Sequence, residues 1–264
     1  REWMRLLFEA GVSEWQLRPV MQKLEKILEP DDFRGLVLYL AQKAAEDPEK
    51  GAAALTFLPE LQARMEEPLF TPEELLELLD SREDLAYGHG VAPVLQLLPE
   101  DMQPAALRSA LPRMRDRGRN WFLGDYVTNA TEELPSGVVE VILDTYPDAI
   151  ADEDEQQIGY RVEQFGQVEH NLETALAMVG IIEKAFPGIV GGGAARMTLF
   201  DKLGREDEAL AVAREAWPSL QGSGDDITDW RKEQARRSVE TYLAEHDLDA
   251  LLELMAEQEG ADPD

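Results

Sequence analysis

Few residues of this sequence have the types and spacing that chemistry requires, and the clearest group is the arginine-rich stretch RSALPRMRDRGRNW (108–121). Guanidinium groups bind carboxylates and phosphates through two parallel hydrogen bonds, so this stretch could hold an anionic group. Arg113 and Arg117 share one face at helical spacing, and we predict them as partner-binding residues. Salt bridges from these arginines to neighbouring acidic helices are the alternative interpretation.

A second basic segment, WRKEQARR (230–237), places Lys232 and Arg236 one helical turn apart. Both side chains would lie on one helix face, where they could contact an acidic group of a peptide. A solvated helix face explains the same pattern equally well. We therefore predict Lys232 and Arg236 as partner-binding residues without a catalytic role.

The sequence offers no pattern typical of a metal site or of catalysis. His89, His170 and His246 lack the His-x3-His and His-Glu-x2-His spacings, and the absence of cysteine excludes disulfides and thiolate zinc sites. DEDE (152–155) lacks the spacing of a calcium loop and predicts the acidic first turn of a helix. GIVGGGA (188–194) follows no strand and predicts a hinge. No serine or threonine belongs to a recognisable triad, so we predict no catalytic residue, metal or cofactor.

The charge of the chain restricts the partners that we expect. The net charge is −29 and the pI is about 4.3, and a surface this acidic repels phosphate backbones, so we predict no nucleic-acid binding. No apolar run approaches the roughly 18 residues that a membrane span requires. The acidity fits solubility or high-salt adaptation, or alternatively selection of a basic partner. We expect a cytoplasmic protein, although a first residue Arg1 leaves a removed N-terminal segment open.

Helical periodicity and helix punctuation dominate the whole sequence and predict an all-α fold. TPEELLELLD (71–80) contains a capping box with proline at the first helical position. GVVEVIL (137–143) is β-branched, but its apolar spacing predicts a helix capped by Ser136. Five apolar-proline pairs predict helix ends, because the residue before proline disfavours helical geometry: Leu98-Pro99, Leu134-Pro135, Tyr146-Pro147, Phe186-Pro187 and Trp217-Pro218.

A repeat is visible in the second half of the chain. Ala209 and Ala213 recur at helical spacing after Gly204, and Ala175 occupies the matching position 34 residues upstream of Ala209. This separation equals the tetratricopeptide period. Small residues at these positions allow paired helices to approach closely. An irregular helical bundle in which the alanine positions coincide by chance is the alternative interpretation. GSGDD (222–226) predicts a flexible joint.

Residues 156–258 resemble two or three tetratricopeptide-type helical hairpins. Phe200 occupies the position of the family's first-helix aromatic, and Gly204 that of its turn glycine. The resemblance implies antiparallel helical hairpins stacked as an α-solenoid, whose concave groove binds a ligand. In that family the inner face of each first helix lines the groove, which adds Tyr160 and Gln164 to Lys232 and Arg236 as candidate contacts.

We therefore expect a helical N-terminal part (1–150), either degenerate repeats or a separate domain, followed by tetratricopeptide-like hairpins (151–264). The leading hypothesis is a non-enzymatic scaffold or adaptor that binds a protein or peptide partner in its groove, and a homo-oligomer is compatible with it. Two alternatives stay open. One is a helical enzyme or small-molecule sensor with a pocket between the halves, near Tyr87 and His89. The other is a structural subunit that assembles through Trp3 and Trp15.

Overall fold

The computed structural model describes residues 70–81, 91–115, 122–221 and 226–261, together with scattered positions between 23 and 68. The chain divides into two compact units, Arg1–Phe122 and Leu123–Asp264. The predicted boundary at 150/151 falls inside the second unit, at the end of a helix. No strand occurs in the described ranges, and the all-α prediction is confirmed there. The predicted roles of Trp3, Trp15, Tyr87, His89 and Arg117 lie outside the described residues.

In the first unit, three described helices contact one another: α1 (Pro72–Ser81), α2 (Val91–Leu97) and α3 (Gln103–Arg115). Their apolar side chains are removed from water, which is the main favourable term in folding. The buried residues shared among these helices include Leu75, Leu79, Val94, Leu95, Leu107 and Met114.

The capping box at the start of α1 is confirmed. The backbone N–H of Thr71 donates to Glu74 Oε2 (2.8 Å), and the N–H of Glu74 donates to Thr71 Oγ1 (3.2 Å). The helix begins at Pro72, where the missing N–H leaves no donor unpaired. Two of the donors that a helix start leaves without intrahelical partners are thus satisfied reciprocally.

A short helix, α4 (Phe122–Thr128), spans the boundary between the units, and the second unit continues with seven α-helices and one 3₁₀-helix among its described residues. They are α5 (Ser136–Ile150), α6 (Glu155–Phe165), α7 (Leu172–Ala185), α8 (Gly192–Lys202), α9 (Glu206–Ala216), the 3₁₀-helix (Trp217–Leu220), α10 (Asp226–His246) and α11 (Leu248–Ala261).

These helices contact one another in a regular order. From α6 onward, each α-helix contacts the next one along the chain. Contacts also join helices two positions apart, namely α5 with α7, α6 with α8, and α8 with α10. In each of the consecutive pairs α6–α7, α8–α9 and α10–α11, the two helices therefore pack against each other.

Two predictions about α5 have different outcomes. GVVEVIL is helical, as its apolar spacing predicts, and Val138 and Ile142 are buried on one face. The predicted cap is wrong, because Ser136 is the first helical residue and Pro135 stands at the cap position. Proline suits this place because its fixed φ and missing N–H cost a helix start nothing.

The prolines end helices at some of the predicted places only. Pro99 and Pro187 follow the ends of α2 and α7, as predicted. Pro147 instead lies inside α5, where the prediction is wrong. Burial of Tyr146 and Ile150 on one face of the last turns outweighs the local cost of the proline. Pro218 lies in the 3₁₀-helix that continues directly from α9.

The connection before α7 is fixed by a buried asparagine. Asn171 adopts a left-handed conformation with φ of 58°, which asparagine tolerates better than most residues. Its Oδ1 accepts from the N–H of Leu134 (2.7 Å), and its Nδ2 donates to the carbonyl of Glu132 (2.9 Å). The backbone N–H of Asn171 donates to Glu133 Oε1 (2.9 Å). This side chain thereby ties the start of α7 to the segment before α5.

The predicted seam between α8 and α9 has the expected local geometry. Gly204 has φ of 70° in the turn, a conformation that favours glycine. Ala209 and Ala213 are fully buried where α9 packs against its neighbours, and Ala175 is fully buried on α7. The acidic segment 152–155 was predicted to form the first turn of a helix, but only Glu155 lies in the first turn of α6. Asp154 instead caps this helix by accepting from the N–H of Gln157 (2.8 Å).

Candidate functional site

A pocket of about 540 Å³ opens in the second unit, where α7, α8, α9 and α10 meet near the connections between helix pairs. Its lining comes from the end of α7, the glycine-rich segment before α8, the first turns of α8, the second half of α9 with the 3₁₀-helix, and one residue of α10. These residues are Glu183, Pro187, Gly188, Ile189, Val190, Gly191, Gly193, Ala194, Arg196, Val212, Glu215, Ala216, Ser219, Leu220 and Lys232.

The glycine-rich segment, predicted as a hinge, forms one wall of this pocket. Gly188 and Gly191 have φ of 85° and 91°, in the left-handed region that favours glycine. Gly193 lies where α8 and α9 approach closely, since a Cβ there would be 2.5 Å from Ala216 Cβ. The glycines thus let the chain turn sharply and bring two helices together beside the pocket.

Four charged side chains line the pocket. Arg196 Nη1 forms an ion pair with Glu183 Oε2 at 3.2 Å. Lys232 and Glu215 make no hydrogen bond or ion pair with any residue that the structure describes. With two cations and two carboxylates the pocket carries little net charge, which is unfavourable for a phosphate group.

The rest of the lining is largely apolar and includes Ile189, Val212 and Leu220. An apolar wall with a few polar groups is typical of sites that bind an apolar group and fix its orientation. The ammonium group of Lys232 has three donors that a ligand carbonyl or carboxylate could accept. Ser219 is no candidate nucleophile, because its Oγ donates to the carbonyl of Ala216 (2.7 Å). The arrangement is suited to binding.

The pocket contains Lys232 but none of the other predicted partner-binding residues among those described. Arg236 is paired on its own helix, with Glu233 and more distantly with Glu240 (3.9 Å). Hydrogen bonds from Arg237 and Arg236 lower the pKa of Glu233. The guanidinium of Arg236 is therefore engaged within α10.

The two predicted residues on α6 differ in their surroundings. Tyr160 is 55% exposed and is one of the large apolar or aromatic side chains that face water. Gln164 accepts a long hydrogen bond from Arg161 Nη1 (3.5 Å). Tyr160 is therefore the more accessible of the two for a partner.

Arg113 has the structural role that was the alternative prediction. Its Nη1 donates to the carbonyl of Asp80 (2.8 Å), and its Nη2 pairs with Asp80 Oδ1 (3.0 Å). These bonds join α3 to the end of α1. Ser109 also donates to Asp80 Oδ1 (3.4 Å). Two donor groups of α3 therefore converge on one carboxylate.

The sequence patterns did not predict the role of Arg231, which contacts residues that are far from it in the sequence. Arg231 on α10 forms an ion pair with Glu163 Oε1 of α6 (3.1 Å), and its Nη1 donates to the carbonyl of Gln156 (2.9 Å). Burial raises the pKa of Glu163, and Arg231 opposes that increase. The sequence signal was Gly159, a glycine inside a helix, whose missing side chain leaves room for the guanidinium.

A second arginine is held in a similar way. Arg161 Nη1 pairs with Asp125 Oδ1 (2.5 Å), and a Cβ on Gly124 would be 3.2 Å from Arg161 Cδ. Burial raises the pKa of both Glu153 and Tyr146, and the positive charge of Arg161 opposes that increase. Glu153 Oε2 and the Tyr146 hydroxyl are buried without a hydrogen-bond partner among the described residues.

No family model matches this chain. Neither the curated proteins nor the solved structures contain a match to it. The function therefore has to be argued from the chain's own contacts and charges.

Two further observations concern the described residues alone. They contain no group of three or more histidine, aspartate or glutamate side chains placed to hold a metal ion. Within the same part of the chain, no helix combines the length and the apolar character that crossing a membrane requires. The ring of His246 stacks on that of Tyr242, with centroids 4.3 Å apart, and His246 Nδ1 lies 3.0 Å from Glu206 Oε1.

Proposed function

We propose that this chain is a non-enzymatic helical-repeat scaffold that binds a protein or peptide partner. The observation that carries the proposal is the similar sequence separation of four polar contacts in the second unit. These contacts join residues that are about one tetratricopeptide period apart. They are Asp125 with Arg161 (36 apart), Val168 with Lys202 (34), Glu173 with Arg205 (32) and Arg214 with Asp247 (33).

The packing of small residues supports the same proposal. Ala175 and Ala209 are both fully buried, 34 residues apart, near the starts of the second helices of two adjacent pairs. Contacts between helices one and two positions apart are those expected when helix pairs stack. A stacked array exposes a long surface for one partner, which is the usual role of such arrays.

Within this proposal, the pocket beside Lys232 receives an apolar side chain of a bound peptide. Val212 and Leu220 supply apolar contact, and Lys232 donates to a backbone carbonyl or a carboxylate of the peptide. Catalysis is disfavoured because Ser219, the hydroxyl residue of the pocket lining, already donates to a backbone carbonyl. Tyr160 provides an additional exposed contact on the same unit.

The test is selection of peptides from a random display library against the full chain, followed by affinity measurements on two lysine variants. Lys232→Ala should lower the affinity of the chain for the selected peptides by about tenfold, equivalent to about 1.4 kcal/mol of binding free energy. Lys184→Ala is the matched control, because Lys184 is exposed on α7 outside the pocket lining and the charge change is the same. Equal losses in both variants, or no selected peptide that depends on Lys232, would contradict the proposal.

A further inference from the structure

Helix α11 exposes a stripe of large apolar side chains. Leu248, Leu252 and Met255 are 54%, 55% and 45% exposed, at positions i, i+4 and i+7 of the helix. This spacing places the three on one face. Leu251, by contrast, is buried in the core shared with α9 and α10. The stripe is thus an apolar face in addition to the one that α11 packs against its neighbours.

Two carboxylates lie on one side of this stripe. Asp249 and Glu253 are exposed and directly follow Leu248 and Leu252, so helical spacing places both on the same flank of the apolar face. Neither pairs with a cation among the described residues. Glu208 and Asp247, by contrast, are paired with Arg205 and Arg214. The negative charge beside the stripe is therefore free to act on a partner.

The start of α11 is firmly placed. Asp247 caps the helix by accepting from the N–H of Ala250 (3.1 Å), and its other oxygen pairs with Arg214 of α9. Both contacts favour the charged carboxylate and lower the pKa of Asp247, the backbone hydrogen bond most strongly. The stripe therefore stands on a helix that is tied to α9 at its first turn.

We propose that the stripe of Leu248, Leu252 and Met255 is a docking surface for an amphipathic helix with an apolar face flanked by lysine or arginine. Apolar residues at i, i+4 and i+7 match the anchors of helix-on-helix recognition. Asp249 and Glu253 select a basic flank, because like charges facing each other would be repelled. A second copy of this chain would bring the same two carboxylates to the same place, and an anionic membrane would be repelled likewise.

The experiment uses two synthetic amphipathic peptides with identical leucine positions, one with lysine flanks and one with glutamate flanks. Fluorescence anisotropy with the full chain should show at least about tenfold tighter binding of the lysine peptide. Added salt should weaken that binding, because the selecting charges are exposed. Leu252→Asp combined with Met255→Asp should remove it. These side chains face water, so the variant should keep its helical circular dichroism and melting temperature.

Charge reversal locates the effect. Asp249→Lys with Glu253→Lys should invert the preference between the two peptides. Glu140→Lys with Asp207→Lys makes the same change in net charge at exposed sites on α5 and α9 and should leave the preference unchanged. Equal effects of both pairs would overturn the proposal, since the whole charge of the chain would then suffice. Self-association that Leu252→Asp abolishes would also overturn it, because the occupant would be a second copy.

Discussion

The guanidinium of Arg231 lies against Gly159, where any other residue of α6 would carry its side chain. A Cβ on Gly159 would be 2.5 Å from Arg231 Nη1, far closer than nonbonded atoms approach. The same nitrogen donates to the carbonyl of Gln156, and Nε pairs with Glu163. The glycine therefore makes possible an ion pair between α6 and α10, which belong to the first and third of the three helix pairs.

Alanine substitutions at two helical glycines should distinguish the effect of the Arg231 contact on stability from the effect of helix propensity. Gly180→Ala should raise the free energy of unfolding by about 0.5–1 kcal/mol, because alanine favours the helix and no atom lies within 4 Å of the new Cβ. Gly159→Ala should instead lower the free energy of unfolding by about 1 kcal/mol, because the methyl group displaces Arg231 and this loss exceeds the gain in helix propensity. Urea denaturation of both variants measures the difference.

An Arg231→Ala background is the control for the same pair. With the guanidinium gone, Gly159→Ala should stabilise by about as much as Gly180→Ala does. A stabilising Gly159→Ala in the unmodified chain would show that Arg231 does not depend on the glycine.

Enlarging the buried alanines should be costly at both repeat positions. Ala175→Leu and Ala209→Leu should each lower the free energy of unfolding by about 1–3 kcal/mol, because no space exists for the added carbons. Ala211→Leu, on the exposed face of α9, should change it by less than about 0.5 kcal/mol. Thermal or urea unfolding would measure all three. A tolerated leucine at only one of the two buried sites would contradict their equivalence.

Loss of the Asn171 side chain should destabilise the second unit. Asn171→Ala leaves the N–H of Leu134 and the carbonyl of Glu132 without their partner, which costs about 2–4 kcal/mol. Asn171→Gly loses the same bonds but adopts a positive φ freely, so it should be less harmful by about 1 kcal/mol. Chemical denaturation of both variants gives the two contributions. Equal stabilities would show that the backbone conformation is not strained.

The pH dependence of stability should carry a contribution from Glu153. Burial raises the pKa of Glu153, and nearby Asp154 and Asp125 raise it further against the opposing charge of Arg161. Because the pKa of Glu153 is higher in the folded state, protonation of this group stabilises the fold, and this contribution is fully present at pH values below the unfolded-state pKa. That contribution is lost as the pH rises through the folded value. Ionised Glu153 is thus unfavourable at neutral pH.

Glu153→Gln should therefore stabilise the chain at pH 7 by a few tenths to about 1 kcal/mol, since partial exposure screens the charge. The difference should shrink toward zero near pH 4, which urea titrations at several pH values would show. Glu140→Gln, an exposed change on α5, should have little effect at either pH. Destabilisation by Glu153→Gln at pH 7 would mean that Arg161 outweighs burial.

Features determined by near neighbours in the sequence were predictable. The capping box at Thr71 depends on residues three positions apart and has its predicted geometry. The turn at Gly204 is equally local. Pro147 shows where such reasoning fails, because the burial of Tyr146 and Ile150 by other helices decides the helix end there.

The candidate site depends on contacts that short sequence patterns do not contain. The sequence shows that segment 188–194 is glycine-rich, but its place in a pocket wall requires α9 and α10 to pack beside it. Charge and spacing indicate Lys232, whereas the absence of a side-chain partner for it among the described residues depends on the packing of the helices. Arg231 and Glu163 are joined across helices far apart in the sequence, so no local pattern indicated the pair.

The ion pair between Arg231 and Glu163 also bears on how these helices come apart. In an array where each pair touches only the next, pairs can be lost one at a time from an end. The two residues of this ion pair belong to the first and third pairs, and α7, α8 and α9 lie between them in the sequence. Detachment of α10 therefore removes support from α6 as well. The three pairs should unfold together in one step, and partly frayed forms should be scarce.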